Sequence, residues 1–147
     1  MFKNIIVIFS LFTLSSYALD IGDSVPFKIQ KSLKLKPHKV YVIDFFASWC
    51  HSCEKELPLV SKLYQKKHLN IIGINEDKKI AKGKAFVKRL KLSFPIHYDF
   101  TQTLIKTFSP QGFPTLYFVK DGKILDIVIG AKNHIDRVII NKVKQCQ

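Results

Sequence analysis

From Val40 to Phe46 the chain reads Val-Tyr-Val-Ile-Asp-Phe-Phe, a run in which Asp44 is the only charged position. An apolar run without alternation predicts a strand covered on both faces, as at the centre of an α/β sheet. After it the period changes. Leu57, Val60, Leu63 and Tyr64 recur at helical spacing in a segment that opens at Cys50, with Glu54 and Glu56 near its start, where acids suit a helix N-terminus. Pro58 inside that pattern predicts a kink. Asn70 to Ile74 reads as a second apolar strand. Ala81 to Leu92 reads as a basic amphipathic helix with Ala85, Phe86 and Leu90 on one side, Phe94 to Tyr98 as a short strand, and Thr101 to Phe108 as a short helix. Thr115 to Val119 and Ile124 to Ile129, joined through Lys120-Asp121-Gly122-Lys123, carry a strong hairpin signal. From His134 to Lys144, Ile135, Val138, Ile139 and Lys142 repeat as one helix face. Ahead of all these, Leu19 to Pro37 mixes Gly22, Asp23 and Pro26 with the extended pattern Phe27-Lys28-Ile29, and reads as a strand or hairpin.

The order β-α-β-α-β-α-β-β-α predicts an α/β fold: a mixed central sheet flanked by helices, closing with a C-terminal hairpin and helix. A chain of 147 residues, 47% of them hydrophobic, can bury one core without staples or metals. The beginning of the chain differs from the rest. Lys3 gives a weakly positive start, Ile5 to Leu14 is apolar except for Ser10 and Thr13, and Ser16-Tyr17-Ala18 offers small residues at both cleavage-reading positions. That pattern predicts an export signal over residues 1–18, cut after Ala18, followed by one domain over residues 19–147. The apolar run falls short of the roughly 20 residues that span a bilayer, and no later segment is long and apolar enough. The expected location is the periplasm or the extracytoplasmic face of the membrane.

The formal charge is +13 at pH 7, a balance that draws polyanions. No nucleic acid is expected: the chain reads as exported, and Arg89 and Arg137 are its only arginines for bidentate phosphate or base contacts. A solvated lysine-rich surface, or attraction to anionic headgroups or an acidic partner, accounts for the charge.

Cys50, Cys53 and Cys146 make an odd cysteine count. In an oxidising compartment Cys50 and Cys53 are expected to spend time bonded. A bridge closing so small a loop adds little stability, because that contribution grows with loop length. A staple is therefore the least useful explanation. Side chains at i and i+3 around a helix start lie within about 5–6 Å, near the separation a disulfide requires. Cys50, expected at an exposed helix N-terminus, meets unpaired N–H groups and the positive end of the macrodipole, which favour thiolate. It is the candidate nucleophile, and the deeper Cys53 the thiol that resolves the mixed disulfide.

Cys53 must then lose a proton in a low-dielectric site, so a nearby base would speed that step. Two acids are placed for it: Asp44, whose pKa should rise by desolvation in mid-strand, and Glu56, three residues beyond Cys53. A protonated His51 would add positive charge beside Cys50 and make the disulfide a better oxidant. Phe113-Pro114-Thr115, just before the penultimate strand, is a candidate cis bond. Phe86, Phe94, Phe108 and Phe118 read as core, Cys146 as an incidental exposed thiol or an intermolecular bridge, and His38, His68, His97 and His134 carry no assigned role. A reading from another class is a copper-binding module, with Cys50, Cys53 and His51 or His134 as soft ligands.

The stretch "VIDFFASWCHSC" resembles the active-site segment of thioredoxin-fold proteins, and "GFPTLYFVKDG" resembles their cis-proline loop, strand and hairpin. "IGDSVPFKI" is similar to the Gly-x-x-x-Pro-x-Phe entry of the extracytoplasmic thioredoxins, and Cys50 to Pro58 matches their Cys-x-x-Cys-x-x-Glu-x-Pro helix. Together these motifs resemble the TlpA/ResA/DsbE-like branch of thiol-disulfide oxidoreductases. The resemblance implies Cys50 as nucleophile, Cys53 as resolving thiol, Glu56 as the acid near the pair, and Pro114 lining a substrate groove with Trp49, Phe113 and Thr115. His51 and Ser52 between the cysteines, with Trp49 beside them, would tune the potential. Asp44 matches the buried acid of general thioredoxins, so carrying both acids is a departure from the branch. The resemblance further implies no cofactor beyond the redox-active Cys50–Cys53 disulfide and no metal. Its partners would be exported proteins with thiols or disulfides, such as apocytochrome c before haem attachment, and a membrane thiol-disulfide electron carrier. A thiol oxidant or disulfide isomerase is the alternative role.

Overall fold

The apolar run Val40–Phe46 forms β1, the middle strand of a five-stranded mixed sheet. The computed structural model describes residues 17–147, so the expected export signal lies outside the described residues apart from Tyr17 and Ala18. A helix α1 (Phe27–Ser32) precedes β1; after it come α2 (His51–Lys67), β2 (Asn70–Asn75), α3 (Ile80–Arg89), β3 (Ile96–Tyr98), α4 (Thr103–Phe108), β4 (Thr115–Lys120), β5 (Lys123–Ile129) and α5 (Ile135–Cys146). The strands lie in the order β3-β2-β1-β4-β5. β1 pairs in parallel with β2, and β2 with β3, whereas β4 runs antiparallel to both β1 and β5. Among the described residues no helix is long and apolar enough to cross a membrane.

Alternation along the strands divides the core in two. Val42 and Phe46 of β1, with Leu116 and Phe118 of β4, face the side covered by α2 and α5, where Leu57, Val60, Ile135 and Ile139 are buried. Ile43 and Phe45, with Tyr117 and Val119, face α1 and α4. There the rings of Phe45, Phe108 and Tyr117 interlock, with centroids 5.0 to 5.6 Å apart. All four phenylalanines read as core are buried. The Asp-Gly hairpin closes as predicted: Asp121 and Gly122 have φ of 51° and 74°, the pair of positive values that a two-residue turn of the strand-matching hand requires.

The expected strand or hairpin in Leu19–Pro37 is instead the short helix α1. One isolated bridge, Ser24 to Lys123, and backbone hydrogen bonds of Gly22, Asp23 and Val25 with Gly122 and Ile124 join this region to the sheet without making it a strand of its own. Pro26 has no N–H to give a ladder and sits just ahead of the first helical residue, where its fixed φ suits a helix start. Val25, Ile29 and Leu33, spaced by four, bury the helix on the second core. A second correction concerns α3, which turns Gly83 and Phe86 inward and leaves Ala85 exposed. Asn75 dictates this: a Cβ on residue 83 would come within 2.0 Å of the Asn75 Oδ1. α2 runs unbroken past Pro58, whose missing N–H withdraws one bond from the helix ladder.

Candidate active site

Asp44 lies two residues from both Val42 and Phe46, so strand alternation turns it to the face that α2 covers. The same face receives Cys53 and Glu56, both buried on α2. Ala47, Ser48 and Trp49 lead out of β1, and Cys50 caps the helix: its Sγ accepts a hydrogen bond from the Cys53 N–H at 3.1 Å. The two sulfurs form a disulfide with Cα atoms 5.2 Å apart. When that bond opens, the Cys53 N–H and the helix end favour charge on the Cys50 sulfur.

Phe45 pairs with Thr115 across β1 and β4, which sets Pro114 opposite the end of β1, where the cysteine loop departs. The Phe113–Pro114 peptide is cis. Phe113 packs against the apolar cluster that includes Cys50, and its ring meets Trp49 edge-on at 5.4 Å. Trp49 itself is 64% exposed. His51 is exposed, and the Ser52 hydroxyl lies 3.5 Å from the Cys50 sulfur.

Three expectations are corrected by this geometry. Cys50 is not exposed at the helix tip but only 6% accessible, because the disulfide turns its sulfur inward toward Cys53 and the apolar cluster closes around it. Thr115, expected to line the groove, is fully buried, and its Oγ1 donates to the Gly112 carbonyl at 2.7 Å, so its side chain pins the loop. Cys146 is half-buried against the core; burial, with the charge of Asp126, pushes its thiol up and away from easy ionisation.

The two acids behind the pair are held in unlike ways. Asp44 is fully buried, and neither of its carboxyl oxygens has a hydrogen-bond partner among the described residues. Burial drives its pKa well above the usual carboxylate range, and the charge of Glu56 adds to the rise. Glu56 Oε2 accepts the Lys132 N–H at 3.0 Å while its Oε1 is buried without a partner. Burial raises this carboxyl too, with the Lys132 hydrogen bond and charge opposing. Raised values bring both groups nearer the range of a thiol, which eases proton exchange with Cys53.

The sequence reading missed Asp77. Its carboxylate accepts the Ser48 N–H at 2.9 Å, the Ser48 hydroxyl at 2.6 Å and the Asn75 side-chain amide at 2.7 Å, fastening the loop that delivers Trp49 and Cys50. Among the described residues no three His, Cys, Asp or Glu side chains converge as a metal site.

Parallel strands on one side of β1, antiparallel strands on the other, and a cysteine pair where β1 hands over to α2 make this a thioredoxin-like fold. The family model described as thioredoxin-like matches residues 38–124, and the chain belongs to that family. It is similar to the thiol-disulfide oxidoreductase ResA of Bacillus cereus (strain ZK / E33L), 36% identical over 106 residues, which cover 68% of this chain and 61% of the relative. The chain thus spans less than two thirds of that relative's length. Among solved structures, a Chlorobium tepidum protein assigned as the thiol:disulfide interchange protein DsbE superimposes with a TM-score of 0.71 at 20% identity, covering 87% of this chain and 98% of that one. StoA from Bacillus subtilis gives 0.65 at 23% identity, covering 76% and 86%.

Proposed function

We propose that this chain is an exported thiol-disulfide oxidoreductase that reduces protein disulfides, such as those of apocytochrome c before haem attachment, at the periplasmic or extracytoplasmic face of the membrane. A membrane thiol-disulfide carrier would return it to the dithiol state. The observation that carries this reading is the capped pair: Cys50 receives the Cys53 N–H at the start of α2, with two buried acids on the face behind it. The similarity to the thiol-disulfide oxidoreductase ResA supports the same chemistry.

In the reduced protein the Cys50 thiolate attacks one sulfur of a partner disulfide. A Cys50–partner disulfide forms and the other partner sulfur leaves as a thiolate. Cys53 passes its proton to the Asp44 or Glu56 carboxylate, and its thiolate attacks the Cys50 sulfur. The Cys50–Cys53 bond closes, the second partner sulfur departs, and the two leaving thiolates take up protons. The partner has gained two electrons and two protons, and the pair has lost them.

His51, exposed beside Cys50, favours the second reading, a thiol oxidant or isomerase, because a protonated imidazole there would stabilise the reduced form. A reduction potential separates the two. The protein is equilibrated in dithiothreitol and glutathione buffers, with Trp49, the only tryptophan, as fluorescent reporter. A value near about −270 mV is expected; one near about −120 mV overturns the reductant role. His51→Glu should lower the potential by about 30 mV, tenfold in the exchange equilibrium. An unchanged potential would remove His51 from the tuning of the pair.

A further inference from the structure

The loops that follow β1, β2 and β3 are stitched together in series. Glu76 N–H donates to the Phe46 carbonyl at 3.0 Å, Asp99 N–H to the Asn75 carbonyl at 2.8 Å, and the Gln102 side-chain amide to the Glu76 carbonyl at 2.8 Å. Asp77 ties the first loop to the second through Ser48. Adjacent strands stand about 4.8 Å apart, so the three strand ends form a firm ledge of about 10 Å, running from the cysteine loop to the end of β3.

These bonds fasten the ledge within the chain, while several of its side chains stand uncovered. Trp49 is 64% exposed at one end, Phe100 is 56% exposed after β3, and Ile80 is partly exposed at the start of α3. Lys78, Lys79 and Lys82 are exposed on the same stretch of chain. A cleft of about 300 Å³ opens there, lined by Trp49, Glu76, Asp77 and these three lysines together with Ser48. Asp77 is buried with both oxygens engaged, and Glu76 is half-buried. The outward-facing charge of the cleft is therefore chiefly positive.

We propose that this ledge is the docking surface for the protein partner of the Cys50–Cys53 pair, and that it takes a partner segment in which acidic residues flank an apolar or aromatic one near the reacting cysteine. The proposal rests on the oxidoreductase reading and adds to it the chemical character of the partner. Trp49, next to Cys50 in the chain, shares the cleft with the three lysines, and Phe100 stands exposed beyond β3; a segment of acidic and apolar residues can meet both kinds of group while presenting its own sulfur to Cys50. An anionic bilayer would satisfy the lysines but brings no disulfide to the pair.

Reduced wild-type protein and a Lys78→Glu, Lys79→Glu variant are mixed with two synthetic peptides, each closed by one disulfide. One carries Asp and Glu around a Phe, the other Lys in the same places; uncharged 2-hydroxyethyl disulfide is the third substrate, and Trp49 fluorescence follows oxidation. Wild type should prefer the acidic peptide by about tenfold in kcat/KM at low salt, mainly through KM, with the preference shrinking as salt rises. The variant should lose that preference and reduce hydroxyethyl disulfide at the wild-type rate. Equal wild-type rates on the two peptides overturn the proposal, and so does a matching loss on hydroxyethyl disulfide, which would mark a disturbed active site. Loss of binding to phosphatidylglycerol vesicles with the peptide preference intact would assign the ledge to a membrane instead. If wild type reduces none of the three disulfides, the oxidoreductase reading falls first and this one with it.

Discussion

Cys50→Ser is expected to abolish disulfide exchange, by about a thousandfold or more, while Cys53→Ser leaves the first half of the reaction intact. The asymmetry follows from position. Cys50 is the helix cap and its sulfur receives the Cys53 N–H, so its thiolate is the stabilised one and serine in its place offers no comparable nucleophile. Cys53 is fully buried one turn further on, out of reach of a partner but bonded to Cys50, so its loss removes only the release step. Cys53→Ser should therefore accumulate a covalent adduct with a disulfide-containing partner, stable on a non-reducing gel until external thiol is added. Working in a Cys146→Ser background keeps the remaining thiol out of the readout. A Cys50→Ser protein that still reduces insulin disulfides at the normal rate would end the mechanism.

The second large effect concerns Asp44. In the unfolded chain its carboxyl titrates near the ordinary value, about 4, whereas in the folded protein burial and the Glu56 charge hold it well above that. Between the two values the folded state binds a proton that the unfolded state does not. Stability is thus greatest below the unfolded value, falls as pH rises through the folded one, and stays low beyond it. Asp44→Asn keeps the shape and removes the charge. It should leave stability nearly unchanged at pH 4 and raise it on the alkaline side of the folded pKa, by about 1–4 kcal/mol, the scale seen when buried ion pairs give way to uncharged side chains. Urea unfolding of the oxidised protein at pH 4 and pH 9 measures this. An equal difference at both pH values, or a less stable variant at pH 9, would show that the Asp44 charge does not strain the fold. Resolution of the mixed disulfide should slow in the same variant, since Glu56 alone is left to take the Cys53 proton. A more stable protein with slower turnover is the combined signature.

Much of the architecture was legible along the chain because its strongest signals are local. Val40–Phe46 lacks alternation since β1 is covered on both faces, and Asp121-Gly122 closes a turn whose conformation those two residues favour by themselves. The cysteine pair and Pro114 were legible for the same reason: each carries its chemistry in its residue type. What was not legible depends on contacts distant in sequence. α1 was misread because Phe27-Lys28-Ile29 suits either element, and only Val25, Ile29 and Leu33 meeting a common core decides the matter. Ala85 looked like the inward residue of α3 until Asn75, ten residues earlier, claimed the space at Gly83. Asp77 gave no local sign of holding Ser48, 29 positions back. The burial of Cys50 depends on Phe113 and the apolar cluster around it, which no spacing rule reaches.

One contact gives the interior a gauge on the outside. Lys132 lies between β5 and α5, exposed to solvent, and its amide hydrogen ends on the Glu56 carboxylate. A protonated carboxyl is a poorer acceptor than a charged one, so each time Glu56 is neutralised the tether on that turn slackens and its amide is freer to trade with water. The charge on a buried carboxyl behind the cysteine pair is in this way written onto a surface position, where spectroscopy can follow it without touching either sulfur.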